Sequence, residues 1–203
     1  MSRLLFVGDS VTDCGRTFTS PDRVAPGALG DGWVRIVAAL LGHRRPGAYE
    51  VLNAGVSGDR VGDLLPRWDR DVAGFAPEVL TVLVGVNDVL LAPRTPLDRL
   101  AEQWAAVVDA VPPSVERLVI AEPFVLPVDA ERAELADALR PVLEVIRDGA
   151  ARRPGAQVLP FGERFAAACA AVEPAWWAED GVHPSAAGHG LIAEAWLEAV
   201  GLP

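Results

Sequence analysis

Leu4-Leu5-Phe6-Val7-Gly8-Asp9-Ser10 is a short, unbroken apolar run that ends in Gly-Asp-Ser. A run of this length without polar alternation fits a strand covered on both faces, as in a parallel sheet packed between helices. The rest of the chain repeats the theme. Val51-Leu52 within Glu50 to Asn53, the run Val79 to Val84, Leu118 to Ala121 and Gln157 to Leu159 read as further strands, with Val79 to Val84 the strongest of them. Helical spacing lies between the strands. Gly32 to Leu41 places Trp33, Ile36, Val37 and Leu40 on one side, and Val61 to Ala73 reads as a helix. Leu97, Leu100, Trp104, Val107, Val108 and Val111 share a period, as do Leu135, Ala136, Leu139, Leu143 and Ile146, where Pro141 is expected to kink or split the helix. Leu191, Ile192, Ala195, Trp196 and Ala199 close the chain with an amphipathic helix. The stretches 20–32 and 92–96, rich in Pro and Gly, read as loops. Strands joined through helices imply βαβ crossovers and an α/β fold, read as one domain over residues 1–203.

Composition narrows the function. With 51% hydrophobic residues among 203, the chain can bury a sizeable core, and disorder is excluded. A formal net charge of -10 argues against nucleic acid and anionic membrane surfaces, which attract basic patches. Cys14 and Cys169 stand alone, form no C-x-x-C motif and are expected as reduced thiols. Arg3 is the only early cation and Leu4 to Val7 is too short for a signal peptide, so the chain reads as cytoplasmic.

Sites in open α/β sheets collect beyond the carboxyl ends of the strands. Gly8-Asp9-Ser10 follows the first strand, Asn53-Ala54-Gly55-Val56-Ser57-Gly58 the second and Gly85-Val86-Asn87-Asp88 the third. Asp180-Gly181-Val182-His183-Pro184 precedes the last helix. Each cluster alone is ordinary turn chemistry. Together they supply the parts of an acyl-transfer site. A serine hydroxyl needs a base, and the base needs an orienting acid. Asp180 and His183, three apart on one tight loop, can be that pair for Ser10. The N–H groups of Ser10 and Gly58 and the side-chain amide of Asn87 can hold an oxyanion. Asp9 is expected to brace the Ser10 turn, and Asp88 the Asn87 loop.

These four blocks, in this order, resemble the SGNH (GDSL) hydrolases, and the match spans nearly the whole chain. The resemblance implies a three-layer α/β/α sandwich, flavodoxin-like, with a five-stranded parallel sheet and no metal or cofactor. It implies Ser10 as nucleophile, His183 as base, Asp180 orienting His183, and Ser10, Gly58 and Asn87 as the oxyanion hole. "GDSVTDCGR", "GALGDGW", "RWDRDV" and "DGVHPSAAGH" are similar to a branch that includes intracellular acetylxylan esterases, which deacetylate xylo-oligosaccharides. Glu179 departs from that branch, where an aromatic residue precedes the aspartate. The expected activity is hydrolysis of short acyl esters of a small molecule or oligosaccharide. The alternatives are a lysophospholipase- or thioesterase-type acyl hydrolase and a non-catalytic carbohydrate-binding protein.

Other features carry structural readings beside functional ones. Trp33 and Trp68 suit core packing or sugar stacking. His189 packs or caps the last helix, and His43 lies on the surface. Asp180, His183 and His189 could bind a cation, but no further ligand cluster is apparent. Asp13 and Arg16, just past Ser10, face the pocket or pair with each other, and a role in the structure of their own loop is the favoured reading. Trp176 and Trp177, just before the histidine loop, wall the pocket or meet a partner subunit, and with the resemblance they hint at a homo-oligomer.

Overall fold

Strand β1 (Ser2–Gly8) leads into a single turn of helix, α1 (Ser10–Asp13), and the long helix α2 (Trp33–Arg44) returns the chain to β2 (Tyr49–Gly55). The computed structural model describes residues 1–17 and 24–202. Short helical pieces α3 (Val61–Leu64) and α4 (Trp68–Asp71) precede β3 (Val79–Leu83). Then come α5 (Asn87–Leu90), α6 (Leu97–Asp109), β4 (Arg117–Glu122), α7 (Ala130–Ala151) and β5 (Gln157–Pro160). Helices α8 (Phe161–Ala168), α9 (Pro174–Trp177) and α10 (Ala186–Val200) complete the chain. The five strands are all parallel, in the order β2-β1-β3-β4-β5. This is the expected α/β/α sandwich with flavodoxin-type order.

Strand side chains alternate between two cores. Leu5, Val7, Leu80, Val82, Leu118 and Ile120 face α3, α6 and α7 through Leu64, Trp104 and Ile146. Leu4, Phe6, Val119 and Ala121 face α2, α8 and α10 through Trp33, Phe165 and Trp196. Every central strand therefore has two apolar faces, which is why its sequence does not alternate. Trp33 meets Phe6 edge to face at 4.9 Å, and Trp68 donates its indole N–H to the Ala110 carbonyl at 2.9 Å. Both tryptophans are core residues. No helix among the described residues is long and apolar enough to cross a membrane.

Some local expectations fail for physical reasons. The helix expected over Val61 to Ala73 is broken into α3, a 3₁₀ turn at Leu65–Arg67, α4 and a second 3₁₀ turn at Ala73–Phe75. Pro66 removes a backbone donor and crowds the preceding turn. By contrast, Pro141 neither ends nor splits α7, which runs unbroken for 22 residues. Leu135 and Leu139 before it, and Val142 and Ile146 after it, anchor both halves in the same core. Leu97 is exposed although it shares the period of α6, and Val34 and Leu41 of α2 are buried more deeply than Ile36 and Leu40. The loop expected over 20–32 is described from residue 24 onward, its earlier part lying outside the described residues.

The register positions the site. Gly8 lies opposite both Gly55 and Leu83, so β1, β2 and β3 end at one level. The segments that follow them all emerge at that edge, where the connections leaving β1 and β3 run to opposite faces of the sheet.

Candidate active site

Ser10 opens α1, and Asp9 caps it: Asp9 Oδ1 accepts the Val11 N–H at 3.1 Å. The seryl Oγ lies 2.9 Å from His183 Nε2. His183 Nδ1 lies 2.6 Å from Asp180 Oδ2. Nδ1 therefore carries the proton that Asp180 accepts, and Nε2 is free to accept from the serine hydroxyl. Three side chains separated by up to 173 residues form one continuous hydrogen-bonded chain.

The loop carrying His183 is held through its backbone. Asp180 Oδ1 accepts the N–H groups of Val182 and His183 at 2.9 and 2.7 Å. Arg132 Nε donates to the Asp180 carbonyl at 2.7 Å, and the Leu126 N–H to the Gly181 carbonyl at the same distance. Gly181 has φ +77°, and a Cβ there would stand 2.6 Å from the Leu126 oxygen. Only glycine fits. The Ser185 hydroxyl then caps α10 through the Gly188 N–H and donates to the Trp176 carbonyl. Burial raises the Asp180 carboxyl, but the bonds from the His183 side chain, its N–H and the Val182 N–H outweigh it and hold the group below the usual carboxylate range.

The expected oxyanion donors come from the segments that follow β1, β2 and β3. Among the described residues, the N–H groups of Ser10 and Gly58 donate to no protein acceptor. Gly58 has φ +87° with open space above it. Asn87 is buried and gives one amide hydrogen to the Asp59 carbonyl at 2.9 Å, which leaves the second unspent. Asp88 is buried as well, but it serves a wider purpose than the Asn87 loop. It accepts the Val61 N–H at 3.1 Å and the Thr95 hydroxyl at 2.7 Å, tying α3 to the segment after α5.

Four bracing residues were not assigned to the site from the sequence. Asp13 Oδ2 accepts both the N–H and the hydroxyl of Ser57, at 2.9 and 2.7 Å, which fixes the Gly58 turn to α1. Asn53 donates to the Thr12 carbonyl at 2.6 Å. Arg67 pairs with Asp59 at 2.7 Å and Asp71 at 3.1 Å and donates to the Ala54 carbonyl. Arg132 holds the histidine loop. Arg16 donates to the Asn53 and Gly55 carbonyls and contacts Asp13, so the pair is loop structure, as expected. The signal for Arg67 was present: "RWDRD" sets Arg67 and Asp71 four apart beside a buried tryptophan. Asn53 is a polar residue inside a strand pattern. His189 packs, His43 is exposed, and both cysteines are free thiols. Trp176 is exposed and Trp177 packs against Phe165.

This arrangement can do acyl transfer: a hydroxyl with a base, an oriented base and unspent N–H donors. Comparison with known proteins agrees. Residues 6–191 match the model of the GDSL-like lipase/acylhydrolase family. An acetylxylan esterase of Geobacillus stearothermophilus is 32% identical over 211 residues, covering 98% of this chain and 94% of that protein. A crystal structure of a catalytic mutant of the acetylxylan esterase Axe2, from the same organism, superposes with TM-score 0.87 at 30% identity, over 100% of this chain and 95% of that one. The structure of LAE5, an alpha/beta hydrolase from the metagenome of Lake Arreo, gives TM-score 0.86 at 30% identity, over 98% and 95%.

Proposed function

This chain belongs to the GDSL-like lipase/acylhydrolase family and is a carboxylic ester hydrolase, and from that premise we propose that it removes short acyl groups, acetyl foremost, from xylo-oligosaccharides or related carbohydrates. The observation that carries the reading is the continuous chain from Ser10 Oγ through His183 to Asp180, at 2.9 and 2.6 Å.

In this mechanism His183 Nε2 takes the seryl proton as Oγ attacks the ester carbonyl. Asp180 fixes the histidine tautomer and stabilises the imidazolium. The carbonyl oxygen, now an oxyanion, is held by the N–H groups of Ser10 and Gly58 and by the free amide hydrogen of Asn87. One such donor lowers the barrier by about 3 kcal/mol. The C–O bond to the alcohol breaks, and His183 returns the proton to the leaving oxygen. Water, deprotonated by His183, then cleaves the acyl-serine to release the acid.

The acetyl preference and the carbohydrate alcohol are supported by similarity to an acetylxylan esterase. A separate apolar cleft of about 250 Å³ lies between α7 and α8, lined by Phe124, Leu139, Leu143 and Ala166. Neither Ser10 nor His183 lines it, so it offers no direct seat for a long acyl chain at the nucleophile. The test is initial rates on p-nitrophenyl acetate, butyrate and octanoate, with acetate release from acetylated xylo-oligosaccharide and Ser10→Ala as control. Acetate is expected to be fastest and the sugar to be deacetylated. Ser10→Ala is expected to lose about 10⁴-fold or more in kcat while remaining folded. Undiminished turnover by folded Ser10→Ala overturns the mechanism, and octanoate fastest with the sugar untouched overturns the substrate.

A further inference from the structure

His183 borders two cavities of different chemistry. One, of about 370 Å³, runs from Ser10 and His183 back to Val11, Cys14, Pro184 and His189, and is also bordered by Ser57, whose hydroxyl is given to Asp13. The other, of about 420 Å³ and wider open, is bounded by Glu179, Asp180 and His183.

The wall of the first cavity is uncharged and internally satisfied. His189 Nδ1 accepts the Trp33 N–H at 3.2 Å, so the ring proton sits on Nε2 and points at Cys14 Sγ, 3.3 Å away. Burial pulls His189 down to about 4, which keeps the ring neutral at physiological pH. Burial likewise pushes the Cys14 thiol up, so the sulfur stays protonated and behaves as a small hydrophobe. Val11 and Pro184 add hydrocarbon. Neither Cys14 nor His189 takes part in the Ser10–His183–Asp180 chain. The second cavity, in contrast, offers the carboxylates of Glu179 and Asp180 to solvent.

We propose that the cavity walled by Val11, Cys14, Pro184 and His189 seats the acyl group, that the open carboxylate-bordered cleft receives the alcohol, and that Cys14 sets the acyl length accepted. An acyl methyl gains by leaving water for an uncharged surface, whereas a hydroxyl-rich alcohol finds an acceptor in the exposed Glu179 carboxylate. His183 sits between the two, where the base must reach both the seryl oxygen and the leaving oxygen. The proposal rests on the esterase mechanism given above.

The experiment measures kcat/KM for p-nitrophenyl acetate, butyrate and hexanoate with wild type, Cys14→Ala and Cys14→Leu, the alcohol being constant. Removing the sulfur opens room for further methylenes, so Cys14→Ala is expected to raise the butyrate-to-acetate ratio about tenfold. Cys14→Leu is expected to lower it by a similar factor. If Cys14→Leu does not fold, Cys14→Ala decides alone. An unchanged ratio overturns the acyl seat. Failure of the underlying mechanism looks different: wild type then hydrolyses none of the esters, and Ser10 is not labelled by diethyl p-nitrophenyl phosphate.

Discussion

The two sides of Ser10 are built on opposite plans. On the histidine side, the side chains of His183 and Asp180 are 53% and 47% exposed, and their geometry comes from hydrogen bonds between a carboxylate and its own loop. Among the segments that carry the proposed oxyanion donors and their braces, Asp9, Asp13, Asn53, Asn87, Asp88, Arg16 and Arg67 are all buried. The carboxyls register the difference. Asp180 is held below the usual range by the N–H groups it accepts, whereas burial pushes Asp9 up to about 7 against its single N–H from Val11. Asp9 Oδ2 has no hydrogen-bond partner among the described residues. The lesson concerns what each side must do. A base has to exchange protons with substrate and water, so it needs access and a tuned tautomer. Oxyanion donors have to stay where they are, so they are locked by neighbours that do not reorganise during reaction.

The largest expected effect that tests this contrast is on the exposed side. Asp180→Asn keeps an oxygen for the Val182 and His183 N–H groups but presents an amide to His183 Nδ1, which forces the wrong tautomer. A fall of about 10⁴-fold in kcat is expected with the loop intact, read by steady-state kinetics and a crystal structure. A fall below tenfold would remove Asp180 from the orienting role.

On the buried side, Asn87→Ala is expected to lower kcat about 10²- to 10³-fold with little change in KM, because the lost donor acts on developing charge. A KM effect alone would show that Asn87 binds substrate rather than the oxyanion.

The effect at Asp9 leaves the rate least changed and appears in stability. An unfolded aspartate ionises near pH 4, the folded one near 7. Between those values the unfolded chain has released a proton that the folded chain retains, so stability falls as pH rises from about 4 to about 7 and is level above. Asp9→Asn removes that dependence while keeping an acceptor for Val11. Its stability relative to wild type is therefore expected to climb over this window by on the order of 4 kcal/mol, measured by urea denaturation at each pH. A constant difference across the window would mean that Asp9 is ionised in the fold.

Much of this molecule is legible from residue order. The five apolar runs mark the strands because each central strand has two covered faces. The clusters ending at Ser10, Gly58 and Asn87 mark the site because loops after parallel strands must emerge at one sheet edge. Asp180 and His183 announce themselves by spacing on a turn. What the order of residues does not carry is the outcome of competition between local and distant forces. Pro66 breaks its helix and Pro141 does not, since only the second is clamped on both sides by core contacts. Arg67 falls in a stretch read only as a helix, and the closed structure buries it between Asp59 and Asp71. Local chemistry therefore determined which residues are proposed as the nucleophile and its base, and which strands present them. Only the tertiary structure decided which polar groups are buried, which cavity each lines and how Asp9 and Asp180 diverge, because burial and charge pairing depend on segments far apart in the chain.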